Sequence, residues 1–280
     1  MENKESAVQY YDGQIVVVDD AEQFANATDQ HLIKDLGKVL LEIGTILMSS
    51  GANTGRIRNN LNRISDAYGY KTELLISHRS LMLTISDERN CYHFNSLKRT
   101  PPHGVNFKVV TGISRLSWRV VDEKLSVAQI KKELDRLLSL PHYPRWVILT
   151  LVGLAGASFC RLAGGTLQDM LIVFAATSVG LFVRQESHKL QFNPYLCVYF
   201  ASLTASLIAG LFVKFGFGNT HEPAFVTCVL FLIPGVPLIN SFSDLIEGNL
   251  QNALIRGLSG LIISFCIALG LLTSTVIYQF

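Results

Sequence analysis

Along this chain the spacing of apolar residues changes character three times. Leu32–Ser50 carries Ile33, Leu36, Val39, Leu40, Ile43, Ile46 and Leu47 at intervals of three and four, the spacing of one buried helical face. Thr28 or Asp29 is placed to cap that helix and Gly51 to close it. Asn53 or Thr54 then caps a second helix through Tyr68, which buries Ile57, Leu61 and Ile64 and ends at Gly69. The pattern next shortens. Lys71–Ser77, Leu81–Ser86 and Cys91–Leu97 are rich in Leu, Ile, Thr, Tyr and Phe and are separated by polar turns, which predicts a small antiparallel sheet. Phe107–Thr111 reads as a further strand. Helical spacing returns over Ile113–Val121 and Val127–Leu140, where Ser126 followed by Gln129 makes a capping box. Met1–Gln30 lacks periodicity apart from the apolar patch Ile15–Val18, and is expected to be a mobile tail.

Beyond residue 142 the alternation is lost and long apolar runs take its place. A helix needs about 20 apolar residues to cross the hydrocarbon of a bilayer. Five such runs are countable: Trp146–Leu162, Leu167–Val183, Pro194–Val213, Glu222–Ile239 and Leu258–Tyr278. Asn240–Gly257, between the last two, is polar and amphipathic. The expected architecture is an α-helical integral membrane protein: a tail (residues 1–30), a cytoplasmic α+β domain (31–142) and a bundle of five transmembrane helices (143–280).

Charge sharpens this division. The chain has 24 Lys+Arg and 22 Asp+Glu, of which 18 and 17 precede Arg145, leaving 6 and 5 for the remainder. A soluble domain would be roughly one quarter charged. The net charge of +2 points away from nucleic acid. No secretory signal opens the sequence, since its first thirty residues are acidic and polar. Basic residues of short loops mark the cytoplasmic side. Arg145, Arg184, Lys189 and Arg256 fall on one side and Arg161 and Lys214 on the other, so the N-terminus is expected inside and Phe280 outside a cell inner membrane. Cys160, Cys197, Cys228 and Cys266 lie in apolar runs and Cys91 stands alone, so all five read as small apolar fillers.

Candidate chemistry is concentrated late in the chain. No GxSxG, HExxH, CxxC or Gly-rich phosphate loop occurs, so neither a catalytic group nor a metal or cofactor site is expected; Cys91 with His93 is a chance neighbourhood on a strand. Gly51-Ala-Asn-Thr-Gly-Arg56 resembles a phosphate turn at a helix start, but without a Lys or a preceding strand it reads as a helix–turn–helix joint. Arg161 and Asp169 flank the Gly164-Gly165 turn, either as an ion pair steadying it or as a gate. Small residues at Ala201, Ala205 and Ala209, and at Gly153 and Ala157, mark close helix packing. The densest signal is Ile233-Pro-Gly-Val-Pro-Leu-Ile-Asn-Ser-Phe-Ser-Asp244. Pro234 and Pro237 remove backbone donors within a span, and Asn240, Ser243, Asp244 and Glu247 follow directly. Broken helices facing polar groups are how many transporters build a midplane site.

Three strings carry a family resemblance: Leu47-Met-Ser-Ser-Gly-Ala-Asn-Thr-Gly-Arg56, Gly164-Gly-Thr-Leu-Gln-Asp169 and Ile233-Pro-Gly-Val-Pro-Leu-Ile-Asn240, the last followed by Asp244, Gly248 and Arg256. Over Leu32 to Tyr278 the chain resembles the threonine/serine exporter family (ThrE-like), above all its short, split YjjP-type members. The resemblance implies export of a small polar metabolite, threonine, serine or a dicarboxylate such as succinate. It also implies a separate small membrane subunit as partner, and an oligomer in the bilayer. The residues expected to line the substrate or ion pathway are Pro234, Gly235, Pro237, Asn240, Ser243, Asp244, Glu247, Arg256, Asp169 and Arg161. Asp244 or Asp169 would take up and release a proton, and Arg256 would pair a substrate carboxylate. The competing readings are a receptor whose soluble domain senses a ligand, and a membrane-tethered hydrolase, for which spans three to five offer no deep base.

Overall fold

A computed structural model describes residues 7–11, 14–18, 20–87, 93–101, 104–141, 143–215 and 221–279. It divides into two compact units, the first comprising Met1–Leu140 together with Ser243–Asn252, the second Pro141–Phe242 and Ala253–Phe280.

The N-terminal unit opens with an antiparallel hairpin, β1 (Ala7–Tyr11) and β2 (Gln14–Val18), paired from Ala7 opposite Val18 to Tyr11 opposite Gln14. Helix α1 follows over Asp20–Ser49, twelve residues longer at its start than the apolar spacing predicts, so Thr28 and Asp29 lie inside the helix and not at its start. The cause is visible in composition: Asp20–His31 holds no Gly or Pro and several good helix formers, while the periodic signal begins only where α1 meets a core at Ile33. Helix α1 ends as expected at Gly51, whose φ of 89° suits a residue without Cβ. Gly51 N–H bonds Met48 O and Ala52 N–H bonds Leu47 O, the paired closure of a helix C-terminus.

Helix α2 (Thr54–Ala67) is capped by Asn53, whose side chain accepts from Arg56 N–H. Strands β3 (Lys71–Ile76), β4 (Ser80–Ser86) and β5 (His93–Arg99) form an antiparallel sheet in that order. Leu81, Leu83 and Ile85 alternate inward along β4, fully buried with Leu36, Leu40 and Ile43 of α1 and Ile57, Leu61 and Ile64 of α2. Cys91 lies outside the described residues. The strand expected at Phe107–Thr111 is instead the first turn of α3 (Phe107–Glu123). Its β-branched composition is overridden by burial: Val109, Val110, Ile113, Leu116 and Val120 form one helical stripe in the core, and Asn106 caps Val109 N–H. Helix α4 (Val127–Leu138) has the predicted Ser126/Gln129 capping box.

The second unit contains α5 (Arg145–Leu162), α6 (Leu167–Lys189), α7 (Pro194–Lys214), the short α8 (His221–Thr227), a 3₁₀ turn (Leu230–Leu232), most of α9 (Gly235–Ile246) and most of α10 (Leu250–Tyr278). Helices α5, α6, α7 and α10 are each long and apolar enough to cross a membrane. Pro223–Leu232 and Gly235–Ile246 form a pair bent by 63° that counts as a fifth span only if taken together. Among the described residues the count is thus four spans, or five with the interrupted pair taken as one, and the interruption falls at the Pro234-Gly235 break that the sequence marks. The polar, amphipathic segment Asn240–Gly257 is shared between α9 and α10 and the short turn that joins them.

Small residues set the packing of this unit. Ala201, Ala205 and Ala209 are fully buried, and a Cβ on Gly180 of α6 would stand 3.0 Å from Ala201 O. Ser202 Oγ donates to Ile267 O at 2.8 Å in a buried bond, and Tyr278 Oη to Leu207 O at 2.8 Å in a part-buried one, so α7 and α10 are tied by polar bonds where no apolar drive brings helices together in lipid. Leu151, Phe159, Leu171, Phe265 and Leu272 point outward, a surface suited to acyl chains. The protein is a multi-pass membrane protein.

Candidate functional site

Two of the strings that stand out in sequence meet in the N-terminal unit. The start of any α-helix leaves backbone N–H groups without intrahelical acceptors and carries a partial positive charge. In α2, Asn53 takes the Arg56 N–H at 2.8 Å. The Thr54 N–H, the next such donor, goes to Oδ1 of Asp244 at 3.0 Å, across 190 residues of sequence. Asp244 is fully buried. A carboxylate on a helix N-terminus is a charge-assisted bond of the stronger kind.

The segment carrying Asp244 is built to present it. Helix α9 ends at Ile246; Gly248 takes φ 78°, and Asn249 N–H returns to Asp244 O at 2.8 Å. The chain thus turns into α10 within four residues. On the α10 side of this elbow Asn252, also buried, donates its Nδ2 to Ile76 O at 2.8 Å and to Thr54 Oγ1 at 3.3 Å. Arg58 Nη2 lies 3.4 Å from Asn249 Oδ1. The Glu247 carboxylate covers Gly55, where an added Cβ would meet its Oε2 at 2.2 Å. Ser243 is half-buried beside them. The anion that the Gly-Ala-Asn-Thr-Gly-Arg turn holds is therefore a carboxylate of the same chain.

In the second unit, the interruption before α9 is made by Pro234 and Gly235. Gly235 N–H bonds Ile233 O at 2.8 Å, and Leu238 N–H bonds Pro234 O at 3.1 Å as the new helix begins. Carbonyls freed by a break at membrane depth need partners in protein or water; that of Cys228 accepts from Thr177 Oγ1 at 3.3 Å. Pro234 is buried and Pro237 and Asn240 are half-buried. The first half of α9 lies close on α10: a Cβ on Gly260 would stand 2.6 Å from Leu238, and Ser241 Oγ donates to Ala253 O at 2.7 Å. Arg256 is half-buried on α10.

The other two candidates stand at the turn between α5 and α6. Asp169 is buried and accepts from both N–H and Oγ1 of Thr166, at 2.8 and 2.7 Å, as the capping box of α6. Arg161 Nη1 donates to Gly165 O at 3.2 Å. Both steady this turn. The expected pathway residues thus fall into three groups: Ser243, Asp244 and Glu247 on the elbow; Pro234, Gly235, Pro237, Asn240 and Arg256 in α9 and α10 of the second unit; Arg161 and Asp169 at the α5–α6 turn. Thr54 and Asn252 complete the elbow and were not legible as such. The only sequence signal for Asn252 is a polar residue one helical turn before Arg256.

Comparisons with known proteins follow this geometry. The chain is 26% identical over 243 residues to the "Probable succinate transporter subunit YjjP" of Escherichia coli, covering 86% of this chain and 94% of that protein. It is 25% identical to the "Threonine/serine exporter" of Corynebacterium glutamicum over 79% of this chain but 47% of that protein. For the "Probable threonine/serine exporter" of Mycobacterium tuberculosis the figures are 23% identity, 88% and 46%. None of these relatives is named as an enzyme. No solved structure matches the chain. The profile of the family described as "Putative threonine/serine exporter" matches residues 38–278, and the chain belongs to that family, ThrE.

Proposed function

We propose that this protein is the larger subunit of a secondary exporter that moves a small polar metabolite, threonine, serine or a dicarboxylate such as succinate, out of the cell across the inner membrane. It works by alternating access, with its N-terminus in the cytoplasm and Phe280 outside. The observation that carries the reading is the interrupted span, Pro223–Leu232 and Gly235–Ile246 bent by 63°, running directly into the Asp244 elbow. A break of this kind gives a membrane helix a place to pivot and polar groups to offer a substrate. Asn240 and Arg256 stand on the segment that follows the break. Arg256 would pair a substrate carboxylate.

Proton coupling follows from the charge on the elbow. An ionised Asp244 is held by Thr54 N–H and the positive end of α2; a neutral carboxyl is held less strongly, so proton uptake would loosen the turn that joins α9 to α10. Asp169 is the second candidate, through the cap of α6. A second small membrane subunit is part of the reading because the chain spans nearly all of the Escherichia coli subunit but under half of the two longer exporters.

The test is efflux of labelled threonine, serine or succinate from cells expressing this chain alone and with the small membrane protein encoded beside it. Efflux that requires both chains is expected, and it is expected to be lost in Asp244→Asn. Efflux from the single chain refutes the second subunit, unchanged efflux in Asp244→Asn refutes the proton role, and no movement of any of the three substrates refutes the substrate class.

A further inference from the structure

The N-terminal unit carries a second polar site, separate from the elbow. A shallow, open groove of about 470 Å³ lies between α2 and α3, lined in part by Asn62, Arg63, Asp66, Ala67, Trp118 and Val121. Its chemistry is two-sided. The Arg63 guanidinium lies over the Trp118 ring, 3.8 Å from the centroid, and one of its nitrogens donates to Ser117 Oγ at 2.8 Å. An arginine has five N–H donors in a fixed fork, so one bond and one stacked ring hold the side chain in place while most of the fork stays open to a carboxylate.

One helical turn on, Asp66 presents a carboxylate to the same groove. Arg63 and Asp66 form no ion pair with each other among the described residues, although residues three apart on a helix are neighbours. The stacking on Trp118 and the bond to Ser117 account for this, because they commit Arg63 to the α3 side. Asn62 Oδ1 is buried and accepts no hydrogen bond among the described residues. Asn59 adds a further polar group, and Ala67, Val121 and a Trp118 that is 55% exposed despite its size supply apolar wall.

We infer that this groove binds a free α-amino acid with a short apolar or hydroxylated side chain. The ligand carboxylate takes the open fork of Arg63, the ammonium goes to Asp66, and the side chain rests on Trp118, Ala67 and Val121. A dicarboxylate fits poorly, since its second charge would face Asp66. The site lies wholly within the N-terminal unit and its occupancy is read there, so it stands or falls independently of transport.

The chain has two tryptophans, Trp118 and Trp146. In full-length Trp146→Phe protein in detergent, Trp118 emission reports the groove alone. Titration with L-valine and L-threonine is expected to give a saturable change. Isobutylamine and isobutyrate, which keep the apolar part and one charge each, and succinate are expected to bind at least about tenfold more weakly. Arg63→Gln and Asp66→Asn are each expected to weaken L-valine binding by about tenfold, measured by calorimetry on protein with both tryptophans so that the altered stacking does not enter the signal. Asp66 is exposed, so its variant leaves the fold intact. No saturable response to either amino acid, equal binding of succinate, or unchanged affinity in both variants would each overturn the assignment.

Discussion

Replacing Asp244 by Ala removes the acceptor of one buried N–H at the start of α2, and the loss should be local and measurable. The bond in question is 3.0 Å long, from a backbone N–H to a fully buried carboxylate. Hydrogen bonds to charged groups contribute about 1.5–3 kcal/mol net, and a negative charge on a partly buried helix N-terminus contributes up to about 2 kcal/mol; the two overlap. A combined loss of about 2–3 kcal/mol is expected, which multiplies the open population about 30- to 150-fold. Asp244→Asn keeps an acceptor at Oδ1 and loses only the charge, so about 1 kcal/mol, or roughly fivefold, is expected. Amide hydrogen exchange of the full-length protein, followed on peptides covering Thr54–Asn60, reads this directly, because exchange tracks the population of locally open states. Helix α4 serves as the internal control, and its exchange should not move. Unchanged exchange around Thr54 in Asp244→Ala would refute the role given to this carboxylate. Equal acceleration in α4 would show global loosening instead.

Two further outcomes are expected. Tyr68 Oη donates to Leu125 O at 2.5 Å, and burial raises its phenol above the usual value of 10.0. The folded state therefore holds this proton more tightly, and its contribution is present below about pH 10 and is lost as pH rises through the folded value. Tyr68→Phe should cost about 1 kcal/mol at neutral pH and flatten the alkaline fall of chemical stability; a fall of the same steepness in the variant would assign it to other groups. In the membrane unit, Gly180→Val places a branched side chain 3.0 Å from the backbone oxygen of Ala201, which cannot rotate away. A loss of at least about 1–3 kcal/mol is expected from overpacking, seen as a lowered Tm in detergent, whereas wild-type thermal stability in this variant would mean that α6 and α7 are not in close contact there.

What the sequence determined by itself is local and periodic. The apolar stripes of α1 to α4 and the alternation along β4 announce themselves because a residue's face follows from its spacing alone. The apolar runs of α5, α6 and α7 are legible because lipid accepts little else. The joints at Gly51 and the capping box at Ser126 are written in three or four adjacent residues. Even the prolines and acids of the interrupted span could be singled out, since their types are costly in a membrane. Tertiary structure decided the rest. Phe107–Thr111 has the composition of a strand and became helix because Val109, Val110 and Ile113 could all reach the core that way. Asn240–Gly257 reads as polar and amphipathic, and nothing in its spacing names the partners of its polar groups. In the fold, Asp244 accepts from Thr54 N–H, and Asn252 Nδ2 donates to Ile76 O and Thr54 Oγ1. No spacing rule links residues 190 positions apart, and one hydrogen bond between a turn and an elbow leaves no periodic trace in either. The turn and the acid were each visible in the sequence; that Asp244 accepts from Thr54 is a property of the folded chain alone.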